Sequence, residues 1–189
     1  DVVRNVKPTI LIGASAVAGA FTEEIIRLMA TNTPKPIIMP LSNPLSKSEA
    51  TPHDLIQWTD GRAIIATGSP YPDVVYEGKQ IRIAQCNNAF SFPGIGLGAI
   101  AAKAKYITDG MLWEAAQALS LCSHALDNPL EPILPKLTES KKIRRAIAVA
   151  VAKRAREEGI AQISPDADLE HEIDSMIWEP RYYRYIKEE

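Results

Sequence analysis

The sequence has few residues of the kinds that build disulfide frameworks, metal clusters or membrane spans. Its 189 residues include two cysteines, Cys86 and Cys122, and three histidines, which excludes a disulfide framework or a thiolate zinc site. The longest apolar runs, such as residues 10–12 and 147–152, are far shorter than the roughly 20 residues of a membrane-spanning helix. We therefore expect a soluble protein of the reducing cytoplasm.

Charge of one sign is also missing. The chain carries 21 lysines and arginines against 23 aspartates and glutamates, a net charge of −2, so it lacks the basic surface that nucleic-acid binding requires. A composition of 46% apolar and 23% charged residues is not that of a disordered chain. The expected partners are small molecules or protein, with no nucleic acid and no membrane.

In the first half, short apolar runs alternate with turn-rich segments and amphipathic helices, which is typical of parallel βα units. The pattern predicts strands at residues 9–12, 37–41, 63–67 and 81–84, and helices at 21–30 and from the cap Thr51 through Trp58. The predicted fold class is α/β: a partial Rossmann-like, doubly wound parallel sheet of three to four strands. Complete sheets of this type have five or six strands, so we expect an exposed edge strand and homo-oligomers.

After Pro93 the pattern is helical. It predicts helices at residues 95–105, 111–121 behind the cap Thr108, 139–158 behind Thr138, and 169–178, with a proline-rich linker at 128–135. Residues 1–105 are interpreted as the second half of a dinucleotide-binding domain, and 106–189 as a helical extension that packs on it. The chain begins at Asp1 without an initiator methionine, and this layout favours a piece of a longer protein.

The residues that follow each strand are candidate contacts, because ligands of open parallel sheets bind at the carboxyl ends of the strands. The first strand leads into the loop 13–19, where Gly13, Ala14 and Ser15 would let a dinucleotide approach the backbone. The next helix would offer free amides there to an anion. The loop lacks the full glycine fingerprint, so a ligand loop and a purely structural turn both remain open.

Side chains with amide or hydroxyl groups follow the other predicted strands. Asn43 comes after the second strand, Ser69 after the third, and Asn87 and Asn88 after the fourth. Singly, an asparagine before a proline or in a polar turn is a common turn device. Their convergence on one sheet edge instead favours an anionic substrate beside a nicotinamide, because amides donate hydrogen bonds to carboxylates and carboxamides.

The remaining reactive side chains form no catalytic set. His53, His124 and His171 lack metal-ligand spacing and are predicted to lie on the surface. Cys86 has no histidine near it in sequence, which favours a small buried residue over a nucleophile. We therefore predict no catalytic residue and no metal ligand in this chain.

Three ordered motifs resemble the NAD-binding domain of malic enzymes, and the similarity extends over nearly the whole chain. They are PIIMPLSNP at residues 36–44, ATGSP at 66–70, and QCNNAF at 85–90, which leads into FPGIGLG at 92–98. The segment FTEEIIR at 21–27 is also similar to a helix of that family. The resemblance implies oxidative decarboxylation of malate to pyruvate, with NAD or NADP as the hydride acceptor and a magnesium or manganese ion.

Carried over residue by residue, the resemblance implies two groups of contacts. Asn43 and Asn88 would contact both substrate and the nicotinamide side of the cofactor, with Asn87 as a neighbouring substrate contact. The further cofactor contacts would be Gly13, Ala14, Ser15, Leu41 and Ser42. The loop 15–19 is less glycine-rich than in many members. The family's catalytic tyrosine and lysine, its metal carboxylates and its glycine-rich phosphate loop would lie upstream of Asp1.

Two alternatives remain open at this point. Malolactic enzyme resembles malic enzyme through the same motifs and converts malate to lactate while its cofactor stays bound. A non-catalytic nucleotide-binding or assembly module would use the same strand-end loops without performing chemistry.

We expect this polypeptide alone to be inactive on malate, because the acid, base and metal ligands that the resemblance implies would lie upstream. The measurement is NADH formation by the purified chain with malate, NAD and Mn²⁺. Turnover above a no-enzyme blank would contradict the expectation.

Overall fold

The computed structural model describes residues 1–178 and 182–186, which fall into two compact units. The first comprises Asp1–Phe90 and Leu119–Ser140, and the second Ser91–Ala118 and Lys141–Glu189. The division expected at residue 105 remains a prediction. The last parts of the expected extension, residues 179–181 and 187–189, lie outside the described residues.

A parallel sheet organises the first unit. The strands in this unit are β1 (Ile10–Gly13), β2 (Ile37–Pro40), β3 (Ile64–Thr67), β4 (Val74–Tyr76), β5 (Lys79–Ile81) and β6 (Ala84–Gln85). The sheet has the order β1-β2-β3-β6, and each neighbouring pair is parallel. Ile37 of β2 is aligned with both Ile10 and Ile64. The predicted α/β class is confirmed, and the parallel sheet has four strands, within the predicted three to four.

The fourth predicted strand was wrong in its placement, because β4 and β5 form an antiparallel hairpin that the sequence reading missed. Ile81 ends this hairpin opposite Val74, and the parallel strand lies further on, at Ala84–Gln85. The hairpin turn contains Glu77 and Gly78 with φ of 49° and 73°. Two successive residues with positive φ are what a tight two-residue hairpin requires.

The helices of the first unit are α1 (Val2–Val6), α2 (Glu23–Asn32) and α3 (Pro52–Trp58). The predicted cap of α3 is confirmed, since the Thr51 hydroxyl accepts a hydrogen bond from the Asp54 amide at 3.2 Å. Helix α1 was not predicted, because the apolar start of the chain has the same pattern as the approach to a strand. It is only five residues long, too short for a helical period to show in sequence.

The core of the first unit lies between the sheet and helices α2 and α3. Apolar side chains from all of these elements are buried together: Phe21, Ile26, Met29, Ile38, Ala50, Leu55, Ile56, Ile65 and Ile83. Strand β1 is an outer strand, and its Ile10 and Ile12 are 49% and 60% exposed. Self-association through this edge remains a prediction.

The carboxyl-terminal half contains α4 (Phe92–Ala101), α5 (Asp109–Ser120), α6 (Ser140–Glu157) and α7 (Leu169–Met176). The cap Thr108 is confirmed by its hydrogen bond from the Met111 amide at 3.1 Å. The cap at Thr138 is wrong: a 3-10 turn at Leu137–Glu139 precedes α6. None of the helices in the described residues is both long and apolar enough to cross a membrane.

Two glycines set the close contact between α4 and α6. A Cβ at Gly94 would lie 2.7 Å from Ile147 Cβ, and one at Gly98 would lie 2.4 Å from the Ala148 carbonyl oxygen. Hydrogen in place of a side chain therefore lets the two helix backbones approach each other.

We expect Gly98→Ala to lower the free energy of unfolding by about 1–3 kcal/mol, because the added methyl group would meet backbone atoms. Gly96→Ala in the same helix is the matched control, since a Cβ there meets no atom within 4 Å. The control should be neutral or stabilising by up to about 1 kcal/mol through helix propensity. Urea unfolding followed by circular dichroism measures both, and equal effects of the two changes would contradict the packing.

Candidate functional site

The ends of the four parallel strands meet at one edge of the sheet, formed by residues 13–19, 41–43, 68–69 and 86–88. We call this surface the carboxyl edge. Backbone hydrogen bonds continue the ladder beyond the strands: Leu41 N to Gly13 O at 2.8 Å, Gly68 N to Pro40 O at 3.2 Å, and Cys86 N to Thr67 O at 2.8 Å. The predicted site residues therefore follow strands that are bonded to one another.

Gly68 allows the second and third strand ends to lie close together. A Cβ at this position would lie 2.1 Å from the Leu41 carbonyl oxygen and 3.0 Å from Asn43 Nδ2. Any side chain would therefore push the Leu41–Asn43 segment away from β3.

Ser69 orients the side chain of Asn43. The Ser69 hydroxyl donates a hydrogen bond to Asn43 Oδ1. With its oxygen engaged, the amide of Asn43 offers its Nδ2 hydrogens to a ligand, and such a donor matches a carboxylate or carboxamide oxygen. Asn43 is exposed and Ser69 is half-buried, so the pair lies at the surface of the carboxyl edge.

One asparagine of the pair after β6 stabilises the local backbone. The Asn87 carbonyl oxygen Oδ1 accepts a hydrogen bond from the Ala89 amide at 2.9 Å, which is a turn of the type that asparagine commonly makes. Asn88 is exposed and begins the 3-10 turn Asn88–Phe90. The substrate contacts of Asn87 and Asn88 remain predictions.

A buried carboxylate that the sequence reading missed joins two loops of the carboxyl edge. Glu49 is 0% exposed. Its Oε1 accepts hydrogen bonds from Ser15 N and Ser15 Oγ, both at 2.8 Å, and from Ser42 Oγ at 2.5 Å. Its Oε2 accepts a longer bond from Ser42 N at 3.3 Å. No local pattern indicates this role, since an acidic residue in a polar loop is usually solvated.

The glycine at position 13 accommodates this carboxylate. A Cβ on Gly13 would lie 2.7 Å from both Glu49 Cδ and Phe21 Cζ. The space beside the first strand end is thus filled by two side chains of the protein. The absence of a side chain at Gly13 is required by that packing.

Most backbone amides of the loop after β1 donate hydrogen bonds within the protein. The Ser15 amide donates to Glu49 Oε1, the Ala16 amide to Ser42 Oγ, and the Val17 amide to Ser15 Oγ. The amides of residues 19–21 donate to backbone carbonyls. The first turn of α2 carries Glu23 and Glu24 behind the cap Thr22, and such negative charges disfavour a bound anion. The amides of residues 15–17 and 19–21 are therefore engaged within the protein, and anion binding by this loop remains a prediction.

The hydrogen bonds to Glu49 keep it ionised. Burial by itself would raise the pKa of this carboxyl group, but the hydrogen bonds from Ser42 and Ser15 lower the pKa from 4.5 to about 2. An anion buried away from water is stable only with such partners.

The other reactive side chains lie as predicted. His53, His124 and His171 are exposed, and burial raises the pKa of the Cys86 thiol, which disfavours the reactive thiolate. Within residues 1–178 and 182–186, no group of three or more His, Cys, Asp or Glu side chains comes together to hold a metal ion. We assign no step to the metal that the family resemblance implies.

The fold and the carboxyl edge define an α/β protein of the class that binds nucleotides at the carboxyl ends of parallel strands. Residues 1–156 match the family model for the malic enzyme NAD binding domain. The chain therefore belongs to the malic enzyme family.

Relatives and solved structures agree with this assignment. The NAD-dependent malic enzymes of Acinetobacter baylyi and Photorhabdus laumondii are each 51% identical over 185 residues, covering 98% of this chain and 33% of theirs. The malic enzyme of Pyrococcus horikoshii is similar with a TM-score of 0.66 and that of Entamoeba histolytica with 0.71, both at 27% identity. They cover 88% and 90% of this chain, and 34% and 31% of their own. The chain spans about a third of the length of its curated relatives.

We expect Glu49→Gln to lower the free energy of unfolding at pH 7 by about 1–3 kcal/mol, because glutamine has one acceptor oxygen where the carboxylate uses two, and its NH2 group would face a buried donor. Since the folded pKa of about 2 lies below the usual 4.5, the ionised form contributes stability above pH 4.5, and this is lost as the pH falls towards 2. The measurement is urea unfolding of both proteins between pH 7 and 3. A difference that does not shrink in acid would contradict this assignment.

Proposed function

We propose that this chain supplies the nicotinamide and substrate side of the active site in an NAD-dependent malic enzyme. The reaction is the oxidative decarboxylation of malate to pyruvate. The observation that carries the proposal is the Asn43 amide, which Ser69 orients at the carboxyl edge of a malic enzyme NAD-binding domain. The choice of NAD over NADP is supported by the NAD-dependent relatives at 51% identity.

The donor set of the carboxyl edge fits a nicotinamide and a carboxylate better than a pyrophosphate. Pyrophosphate binding requires several free backbone amides, and the loop after β1 uses its amides at positions 15–17 internally. The Nδ2 group of Asn43 instead matches the oxygen of a carboxamide or a malate carboxylate. In this proposal Ala14 and Ser15, which are exposed, contact the cofactor directly, and the buried Gly13 lies beside that contact and leaves room for Glu49.

Each proposed residue has a defined task. NAD, when bound, accepts the hydride from C2 of malate. Asn43 and Asn88 donate hydrogen bonds that orient the nicotinamide and the substrate, with Asn87 beside them on the substrate. Leu41 is half-buried and Ser42 buried, and together they line the nicotinamide end. Orientation of both reactants is a large part of catalysis, because it converts their encounter into an intramolecular step.

The proposed small-molecule partners are malate and pyruvate. Homo-oligomers and a cytoplasmic location are further proposals, and the exposed edge strand β1 supports the first of them.

An exchange of segments tests the function. We expect the Acinetobacter baylyi enzyme to keep malate-dependent NADH formation when this chain replaces its matching 185 residues. Asn43→Ala in that chimaera should lower kcat/KM about 10- to 100-fold, because a hydrogen bond to a charged group is lost. Pyruvate and NADH are measured together, so lactate without NADH would identify malolactic activity instead.

The matched control is Asn128→Ala. Asn128 Oδ1 accepts a hydrogen bond from the Leu130 amide in a surface turn. This turn is distant in sequence from the carboxyl edge, and Asn128 has no proposed contact with cofactor or substrate. It should leave kcat/KM unchanged. A folded chimaera without malate oxidation, or equal losses for the two asparagines, would contradict the proposal.

A further inference from the structure

Glu49 is an unusual residue of the carboxyl edge because its charge is buried without a cation. Its side chain is 0% exposed and accepts hydrogen bonds from Ser15 and Ser42. Within residues 1–178 and 182–186, no lysine, arginine or histidine forms an ion pair with it. The negative charge is therefore held by amide and hydroxyl dipoles alone and remains a net charge inside this part of the protein.

The hydrogen bonds to Glu49 connect two segments that are far apart in sequence. Ser15 belongs to the loop after β1, and Ser42 follows β2, directly before Asn43. The Ser42 hydroxyl donates to Glu49 at 2.5 Å and accepts from the Ala16 amide at 2.8 Å. It therefore links the carboxylate to a second residue of the loop after β1. Hydrogen bonds linked in this way polarise one another and hold the connected segments in one arrangement.

The neighbouring backbone strengthens the connection. The amides of Gly19 and Phe21 donate to the carbonyl oxygens of Ser48 and Glu49, at 3.3 and 3.0 Å. The segment that carries Glu49 is thus bonded to the loop after β1 through its backbone as well as through its carboxylate. These bonds together fix the position of Glu49, so its carboxylate can hold both loops in place.

The charge also has a consequence for the cofactor. The nicotinamide ring is positively charged in NAD⁺ and neutral in NADH. Ser42, which donates to the carboxylate, is proposed to line the nicotinamide end, and Ser15 is a proposed cofactor contact beside it. A fixed negative charge directly behind these residues attracts the oxidised ring and has little effect on the reduced one.

We propose that Glu49 is a positioning residue that holds the Ser15 and Ser42 loops in place and, through its charge, favours binding of NAD⁺ over NADH. The effect on the cofactor rests on the function proposed above, whereas the effect on the loops does not. Two substitutions separate the contributions. Glu49→Gln keeps the length of the side chain and removes the charge, and Glu49→Asp keeps the charge and shortens the reach by one methylene group.

The loop effect is tested by amide hydrogen exchange of the 189-residue chain, resolved by NMR. In Glu49→Gln the amides of Ser15, Ala16 and Ser42 should exchange at least about tenfold faster, while those of β2 and α2 change much less. Glu139→Gln is the matched control, because Glu139 also has a lowered pKa, caused by hydrogen bonds from Lys136 and His124. Unchanged exchange at the three amides, or an equal increase throughout the sheet, would overturn the positioning role.

The charge effect is tested by the ratio of the dissociation constants for NADH and NAD⁺, measured by calorimetric titration of the chimaera with the Acinetobacter baylyi enzyme. In that chimaera Glu49→Gln should lower this ratio about 5- to 10-fold, whereas Glu49→Asp should stay within about twofold of the unsubstituted chimaera. Damage to the loops alone would weaken both ligands equally and leave the ratio unchanged.

The outcomes distinguish this inference from the proposed function. Measurable binding of both dinucleotides with a ratio that Glu49→Gln does not move would overturn the charge effect and leave the proposed function standing. Binding of neither form to the folded, unsubstituted chimaera would count against both the proposed function and the charge effect. In that case the exchange measurement still decides the positioning role.

Discussion

Backbone hydrogen bonding between parallel strands is the constraint on which the site depends. Because β1, β2, β3 and β6 run in the same direction, their carboxyl ends lie at one edge, and short polar segments that are far apart in sequence become neighbours. The ladder continues past the strands to Leu41, Gly68 and Cys86. It therefore holds the loops themselves and not only the strands. Asn43 and Ser69 meet for this reason.

The loop after β1 is held by a carboxylate of the protein itself. Successive backbone amides in a strand-to-helix loop commonly form a concave site for phosphate. Here the Ser15 amide donates to the carboxylate of Glu49 instead, and Gly13 leaves room for that side chain. The desolvation cost of the charge is offset by four hydrogen bonds. The consequence is an edge with fixed loops and outward-facing amide side chains, which suits a nicotinamide and a carboxylate.

The regular elements of the fold were largely predictable from local patterns. Strands β1 to β3 appear as short apolar runs, and the caps Thr51 and Thr108 appear as hydroxyl residues ahead of helical periods. The failures also have local causes. The Glu77–Gly78 turn contains only one glycine, so its two positive φ angles were not evident. The expected cap Thr138 was displaced by a 3-10 turn in which the Lys136 amide donates to Glu139 at 3.0 Å.

For the site, the sequence by itself determined which residues follow each strand and, through three ordered motifs, the family that they resemble. It placed Asn43, Asn87 and Asn88 at one edge, since parallel strands require this. Only the tertiary structure decided which of their atoms are engaged, with Ser69 on Asn43 and the Ala89 amide on Asn87. Only the tertiary structure revealed Glu49 as well. Burial and ionisation of a carboxylate depend on donors that come from distant positions, and no local pattern records where those donors will be.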